Sequence, residues 1–455
     1  MRIPAHKSSS VDLLHGSILR SMLVFAIPLF FSGVFQQLYN TMDTVIIGHT
    51  LGDEALAAMG AAGVVYDLLM GFALGIGNGL AIVTARSFGS GDIQQLKRSV
   101  AASVVIGVCI TVVITILVQF ILYPFLELLN TPVQIIGQSY RYIATITLFI
   151  AVMFAYNLCA GLLRAIGNSV MPLVFLILSS ILNIGLDLFF ITRLQMGVQG
   201  AAIATVIAQV VSVTACLVYI GRKAEILIPG KMHFIWDRKL YLEMLAQGLS
   251  VGLMNSIIGA GSAILQSGIN GLGYLVIAGH TAARKLFQFL MMPYIAISQT
   301  ISTFVSQNRG AGQALRIRKA MMCSYLCGLA VSAAATIFML FFAPAVVRLL
   351  TGSRESVVIQ NGALYMRVVA PCLTILGVLN STRMGLQAVG KKILPLFSSV
   401  IEMVGKILFV ILFIPRFQYM AVIFCEPVIW CFMVAELLPA FWLDSFIRSG
   451  KGARS

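Results

Sequence analysis

Charge is what this chain mostly does without. Asp, Glu, Lys and Arg make up 10% of its residues and only 16 of them are acidic, whereas soluble domains carry about 25% charged residues. So few charges cannot clothe a water-soluble surface, and a soluble globular fold is excluded. The motifs of the common energy-using enzymes are missing too. There is no HExxH, no GxSxG and no Walker A sequence, and no Cys/His set at metal-ligand spacing. An ATP-driven pump or an intramembrane hydrolase would need such a feature, so active transport would have to draw on an ion gradient, and no enzymatic activity is expected. The first 17 residues are polar and contain no apolar h-region, which predicts that the first apolar run stays as an uncleaved anchor. The eight cysteines fall in or beside apolar runs; Cys323 and Cys327 stand one turn apart with no His or acidic neighbour, and read as core.

What the chain has instead is apolar length. It is 59% hydrophobic with a mean hydropathy of +0.96, the profile of a polytopic membrane protein. Runs of about 20 apolar residues, enough to cross a hydrocarbon core of about 30 Å, occur twelve times, near 22–47, 56–84, 99–123, 133–160, 168–191, 199–220, 240–267, 274–304, 320–342, 357–382, 393–414 and 420–446. Turns such as Leu51-Gly52-Asp53 separate them. With the N-terminus cytoplasmic, that side collects Arg2, Lys7, Arg20, Lys97, Arg98, Arg222, Lys223, Lys231, Arg318, Lys319, Arg383, Lys391, Lys392, Lys451 and Arg454 among others. The opposite side keeps only Arg193, Arg348, Arg354 and Arg416. The positive-inside rule then sets both termini in the cytoplasm. It also accounts for the net charge of +15 as topology and contact with anionic membrane lipid rather than nucleic-acid binding.

The chain is a duplication. At a displacement of 223 residues Gly167 matches Gly390, Pro172 matches Pro395, Asn157 matches Asn380 and Tyr142 matches Tyr365. At 221, Leu51-Gly52 matches Leu272-Gly273, and Gly89 and Gly91 match Gly310 and Gly312. Six spans per repeat insert both halves the same way round, related by a pseudo-twofold along the membrane normal. The expected fold is therefore all-α: twelve transmembrane helices in two six-helix lobes, 1–220 and 240–455, joined by a basic cytoplasmic loop at 221–239.

Two carboxylates interrupt this apolar pattern, Asp43 in the first span and Asp187 in the fifth. A charge at bilayer depth costs roughly 2.5–3.5 kcal/mol on the lenient insertion scale, so each needs a reason. Gln36, Tyr39 and Asp43 stand at i, i+3 and i+7 on one helix face, and Asn183 and Asp187 at i and i+4 on another. Counted from the span ends, Asp43, Asn183, Asp187 and Thr205 reach similar depth. Two carboxylates, an amide oxygen and a hydroxyl suit a small hard cation such as Na⁺; the acid pair could equally carry a proton. A bland alternative is that each Asp is a satisfied structural group at a helix interface. The constellation is not duplicated: at the 223 displacement Asn183 falls opposite Lys406 and Asp187 opposite Val410, which points to ion coupling through the first half only.

Other polar features carry two readings each. Glu402 and Lys406, at i and i+4, either neutralise each other or face a cavity. Arg284 and Lys285 either snorkel or face a cavity, and what Asp67 meets is left open. Gly71, Gly75 and Gly79 at four-residue spacing predict close helix packing. Pro28 could kink the first span and couple it to Asp43.

The segments Gln36-Gln37-Leu38-Tyr39-Asn40-Thr41-Met42-Asp43-Thr44-Val45-Ile46-Ile47-Gly48, Asn157-Leu158-Cys159-Ala160-Gly161-Leu162-Leu163-Arg164-Ala165-Ile166-Gly167-Asn168 and Leu182-Asn183-Ile184-Gly185-Leu186-Asp187 resemble the multidrug and toxic compound extrusion (MATE) family across nearly the whole chain. The resemblance implies a cation-coupled antiporter, driven by H⁺ or Na⁺ with no other cofactor. It would export amphipathic, often cationic compounds across the cytoplasmic membrane by alternating access, as a monomer. Asp43, Asn183, Asp187 and Thr205 would couple the cation, and Gln36, Tyr39 and Asn157 would line the cavity. One branch of the family carries an acid in the seventh span; here Val251–Ser262 has none, which favours the first-half site. A flippase for lipid-linked saccharides and an uncoupled channel are the alternatives from other classes.

Overall fold

The structure is a computed structural model that describes residues 10–128, 131–352 and 355–449. Arg2, Lys7, Arg354, Lys451 and Arg454 of the charge pattern lie outside the described residues. The main helices are α1 (Ile18–Leu51), α2 (Asp53–Gly89), α3 (Ile93–Leu128), α4 (Val133–Leu148), α5 (Ile150–Ala165), α6 (Val170–Leu188), α7 (Gly197–Lys223), α8 (Arg238–Asn270), α9 (Tyr274–Gly310), α10 (Ala314–Thr351), α11 (Ser356–Val389) and α12 (Ile393–Leu408); the short α13 (Ile414–Phe417), α14 (Tyr419–Trp442) and α15 (Ser445–Ser449) complete the order. Among the described residues, eleven helical stretches are long and apolar enough to cross a membrane. The twelfth span, read from sequence as continuous over 133–160, is instead the pair α4 and α5, bent by 51° at Phe149. The Phe149 N–H turns back to the Ile146 and Thr147 carbonyls, closing α4 before α5 begins. The protein is an all-α, twelve-span integral membrane protein.

The repeat is written into the backbone. Gly167 and Gly390, which follow α5 and α11, have φ of 91° and 101°, a region open to glycine but strained for other residues. Both α6 and α12 run into a π-helical turn, Phe189–Arg193 and Phe409–Phe413.

Contacts divide the chain into two compact units. Unit 1 is formed by Phe31–Gly252 together with Val11, and unit 2 by Asp12–Phe30 and the chain from Leu253 onward. These are not the sequence halves 1–220 and 240–455, because α1 and α8 are each divided along their length. In unit 2, Arg316 donates to the carbonyls of Leu13, His15 and Gly16 at 3.2, 2.8 and 2.8 Å, which holds the start of α1 there. In unit 1, the first half of α8 packs on α2 through glycines. A Cβ on Gly75 would sit 2.6 Å from Gly252 Cα, and one on Gly79 2.6 Å from Gly248 Cα. The expected close packing is therefore present at Gly75 and Gly79, with backbone against backbone. The 3₁₀ turn Lys231–His233 is pinned in unit 1 by His233 Nε2, 2.9 Å from Gln94 Oε1 on α3. All eight cysteines are free thiols.

Candidate functional site

Unit 1 brings α1, α6 and α7 together at one buried polar cluster. Asp43 on α1 is 5% exposed, Asp187 on α6 is fully buried, and Asn183 and Thr205 are 1% and 4% exposed. The helical spacing explains the grouping. Asn183 and Asp187 share a face of α6, and Tyr39 and Asp43 share a face of α1. The Asp43 and Asp187 carboxyl groups lie within hydrogen-bond reach of each other, and each retains an Oδ1 without another partner. Two carboxylates in that position repel strongly unless a cation or a shared proton sits with them.

The surrounding groups fix the pair. In the orientation that satisfies both ends of its amide, Asn183 donates from nitrogen to Asp187 Oδ2 at 2.9 Å and accepts at oxygen from the Thr205 backbone N–H at 3.3 Å. The same oxygen end lies 3.3 Å from Thr205 Oγ1. The Tyr39 hydroxyl is 3.1 Å from Thr205 Oγ1, so the chain Tyr39, Thr205, Asn183, Asp187 is continuous across three helices. Directly after Asp187 and Leu188 comes the π turn Phe189–Arg193, a local widening that recurs at functional sites.

Two tyrosines that spacing alone did not bring forward as site residues also stand here. Tyr66 on α2 is within electrostatic range of Asp43, and Tyr142 on α4 within range of both Asp43 and Asp187. The only sequence signal was the repeat, which pairs Tyr142 with Tyr365. Of the remaining candidates, Gln36 is exposed on α1 and Asn157 is half-buried on α5, its amide donating to the Met153 carbonyl at 2.7 Å. Neither is hydrogen-bonded to the acid pair. Asp67 is exposed on α2, and Lys285 is exposed on α9.

Unit 2 holds a second, different polar cluster. Lys406 Nζ donates to Glu402 Oε1 at 2.9 Å, so the two do pair along one helix face. The chain of charges continues beyond the pair. Lys406 lies 3.7 Å from Glu426 Oε1, Arg284 donates to Glu426 Oε2 at 2.8 Å, and Arg383 is 3.7 Å from Glu402 Oε2 while donating to Ser398 Oγ at 3.1 Å. Arg383, counted above with the cytoplasmic charges, is thus buried in an ion network. Glu426 was legible by the same cost argument that marked Asp43, since it interrupts the apolar run of α14.

A profile of the MatE family matches residues 28–189 and 251–412, most of the chain and in the 223-residue register of the repeat. The chain belongs to the MatE family. It is 26% identical over 308 residues to the probable multidrug resistance protein YpnP of Bacillus subtilis, covering 67% of this chain and 68% of the relative. It is 22% identical over 361 residues to the probable multidrug resistance protein NorM of Thermotoga maritima, covering 76% and 75%. The fold agrees with a multidrug resistance MATE family transporter of the MOP superfamily solved in an outward-facing conformation, with a TM-score of 0.87 at 21% identity over 95% of this chain and 97% of that one. At that identity the likeness speaks for the fold, and the MatE profile for the family.

Proposed function

We propose that this MATE family efflux transporter is a cation-coupled antiporter in which Asp43 and Asp187 form one exchange site. It would export amphipathic, often cationic compounds from the cytoplasm across the cytoplasmic membrane by alternating access, with both termini inside. The observation that carries the reading is the buried pair of carboxyl groups, facing each other across α1 and α6, held by Asn183 and within reach of Thr205 and Tyr39 through their bonds. The multidrug names of the YpnP and NorM relatives support the substrate class.

The chemistry is linkage. The empty, doubly charged pair is costly where water is excluded, so the site rests with a cation or a shared proton. A drug that binds better to the empty state must expel that ion, and the ion must weaken the drug by the same factor. A proton shared by the two carboxyls is one candidate for the coupling ion. Na⁺ held by Asp43, Asp187 and the oxygens of Asn183 and Thr205 is the competing outcome of the test. Efflux measured in inverted vesicles, with pH and sodium gradients imposed separately, decides between them. The proposal requires that at least one gradient drives drug movement in wild type and that Asp43→Asn abolishes it.

A further inference from the structure

Lys406 is the most deeply buried amine among the described residues, with 1% of its side chain exposed. Its surroundings are oxygen: Glu402 Oε1 at 2.9 Å, Ser262 Oγ at 3.2 Å and Glu426 Oε1 at 3.7 Å. Two carboxylates and a hydroxyl are also what unit 1 offers from Asp43, Asp187 and Thr205, but in unit 2 each carboxylate has a second basic partner, Arg284 on Glu426 Oε2 at 2.8 Å and Arg383 3.7 Å from Glu402 Oε2. The register of the repeat relates the two clusters at Lys406 and Tyr365, although the carboxylates themselves stand at unmatched positions, Asp187 opposite Val410 and Glu402 opposite Ser179. The MatE profile matches both halves at the 223-residue displacement, which sets Lys406 opposite Asn183, the residue that binds Asp187 in unit 1. At the same displacement Tyr365 falls opposite Tyr142. The Tyr365 hydroxyl donates to Glu426 Oε2 at 3.5 Å. Both α6 and α12 enter a π turn just beyond these positions.

We propose that Lys406 is a tethered substitute for an exchangeable cation: its ammonium fills an oxygen pocket in unit 2 that, emptied of the lysine, would bind a small free cation. The comparison with unit 1 rests on the coupling role proposed for Asp43 and Asp187, whereas the pocket rests on the distances around Lys406. In this arrangement unit 2 stays loaded at all times, and ion exchange falls to unit 1.

The test removes the tether and supplies the ion. Full-length wild type and Lys406→Ala are purified in detergent, and the thermal unfolding midpoint is followed against methylammonium, ammonium and Na⁺, with choline, too bulky for the pocket, as the ionic-strength control. Wild type is expected to respond to all four alike. Lys406→Ala is expected to unfold at a lower temperature and to recover it saturably with methylammonium or ammonium beyond the choline response. That recovery should vanish in Lys406→Ala/Glu402→Gln and persist in Lys406→Ala/Asp43→Asn. Should Lys406→Ala not fold, Lys406→Asn, which restores the residue of the first repeat, gives the same readout. A response to methylammonium no greater than to choline overturns the proposal, as does a recovery that survives Glu402→Gln or disappears with Asp43→Asn. Loss of drug coupling in Asp43→Asn is scored separately, so failure of the unit 1 reading leaves this result standing or falling alone.

Discussion

At the scale of single residues, the candidate site was legible where chemistry is expensive. Asp43 and Asp187 declare themselves because a carboxylate in an apolar run has a cost, helical spacing brings in Tyr39 and Asn183, and matching depth brings in Thr205. Tyr66 and Tyr142 do not, because a tyrosine in an apolar run is ordinary and its neighbours belong to other helices. Polar partners of the pair should matter less than the acids. Tyr39→Phe deletes the 3.1 Å contact with Thr205, worth about 0.5–1.5 kcal/mol, and is expected to weaken ion-coupled efflux several-fold without abolishing it; initial efflux rates in vesicles check this. Glu402 has a different task. Glu402→Gln leaves Lys406 and Arg383 short of a buried counter-charge, and breaking such a pair costs about 3–5 kcal/mol. It should depress the unfolding midpoint in detergent while the folded fraction retains efflux. Inactivity in well-folded Glu402→Gln, with transport retained in Asp43→Asn, would move the coupling site to unit 2.

Elements were legible by hydropathy, and their interruptions were not. The run 133–160 reads as one span because Leu148-Phe149-Ile150 is apolar and contains neither Gly nor Pro, yet the chain bends there by 51°. The π turn after Asp187 is equally silent, since it changes hydrogen-bond register without changing composition. Glycine rows speak more clearly. Gly75→Ala places a methyl carbon 2.6 Å from Gly252 Cα, which the backbone of α8 cannot yield to cheaply, and overpacking of this kind costs about 1–3 kcal/mol. The same substitution at Gly60 on the same helix meets nothing within 4 Å and should be neutral or slightly stabilising. Unfolding midpoints of the two variants side by side check the contrast, and equal destabilisation would contradict this account of the α2–α8 packing.

For the whole molecule, the duplication and the twelve spans follow from matched glycines, prolines and apolar lengths, because each of those signals is local in sequence. The partition of contacts is not, since the first parts of α1 and α8 pack with the unit that their sequence position does not suggest. Orientation is a property of the whole chain as well, and in the proposed topology Lys231, exposed on its 3₁₀ turn, faces the cytoplasm. A cysteine introduced there in a cysteine-free background should be labelled by a membrane-impermeant maleimide in inverted vesicles and not in intact cells; the opposite pattern would reverse the topology. The central claim is that Asp43 and Asp187 act as one ion-exchanging unit against the drug. It is tested most directly by drug affinity in detergent, measured against pH and sodium for wild type, Asp43→Asn and Asp187→Asn. In wild type, drug affinity should rise as the coupling ion is withdrawn, by raising the pH or removing sodium, and either substitution should flatten that dependence. Identical ion dependence in all three proteins would contradict the claim and leave the pair a structural role alone.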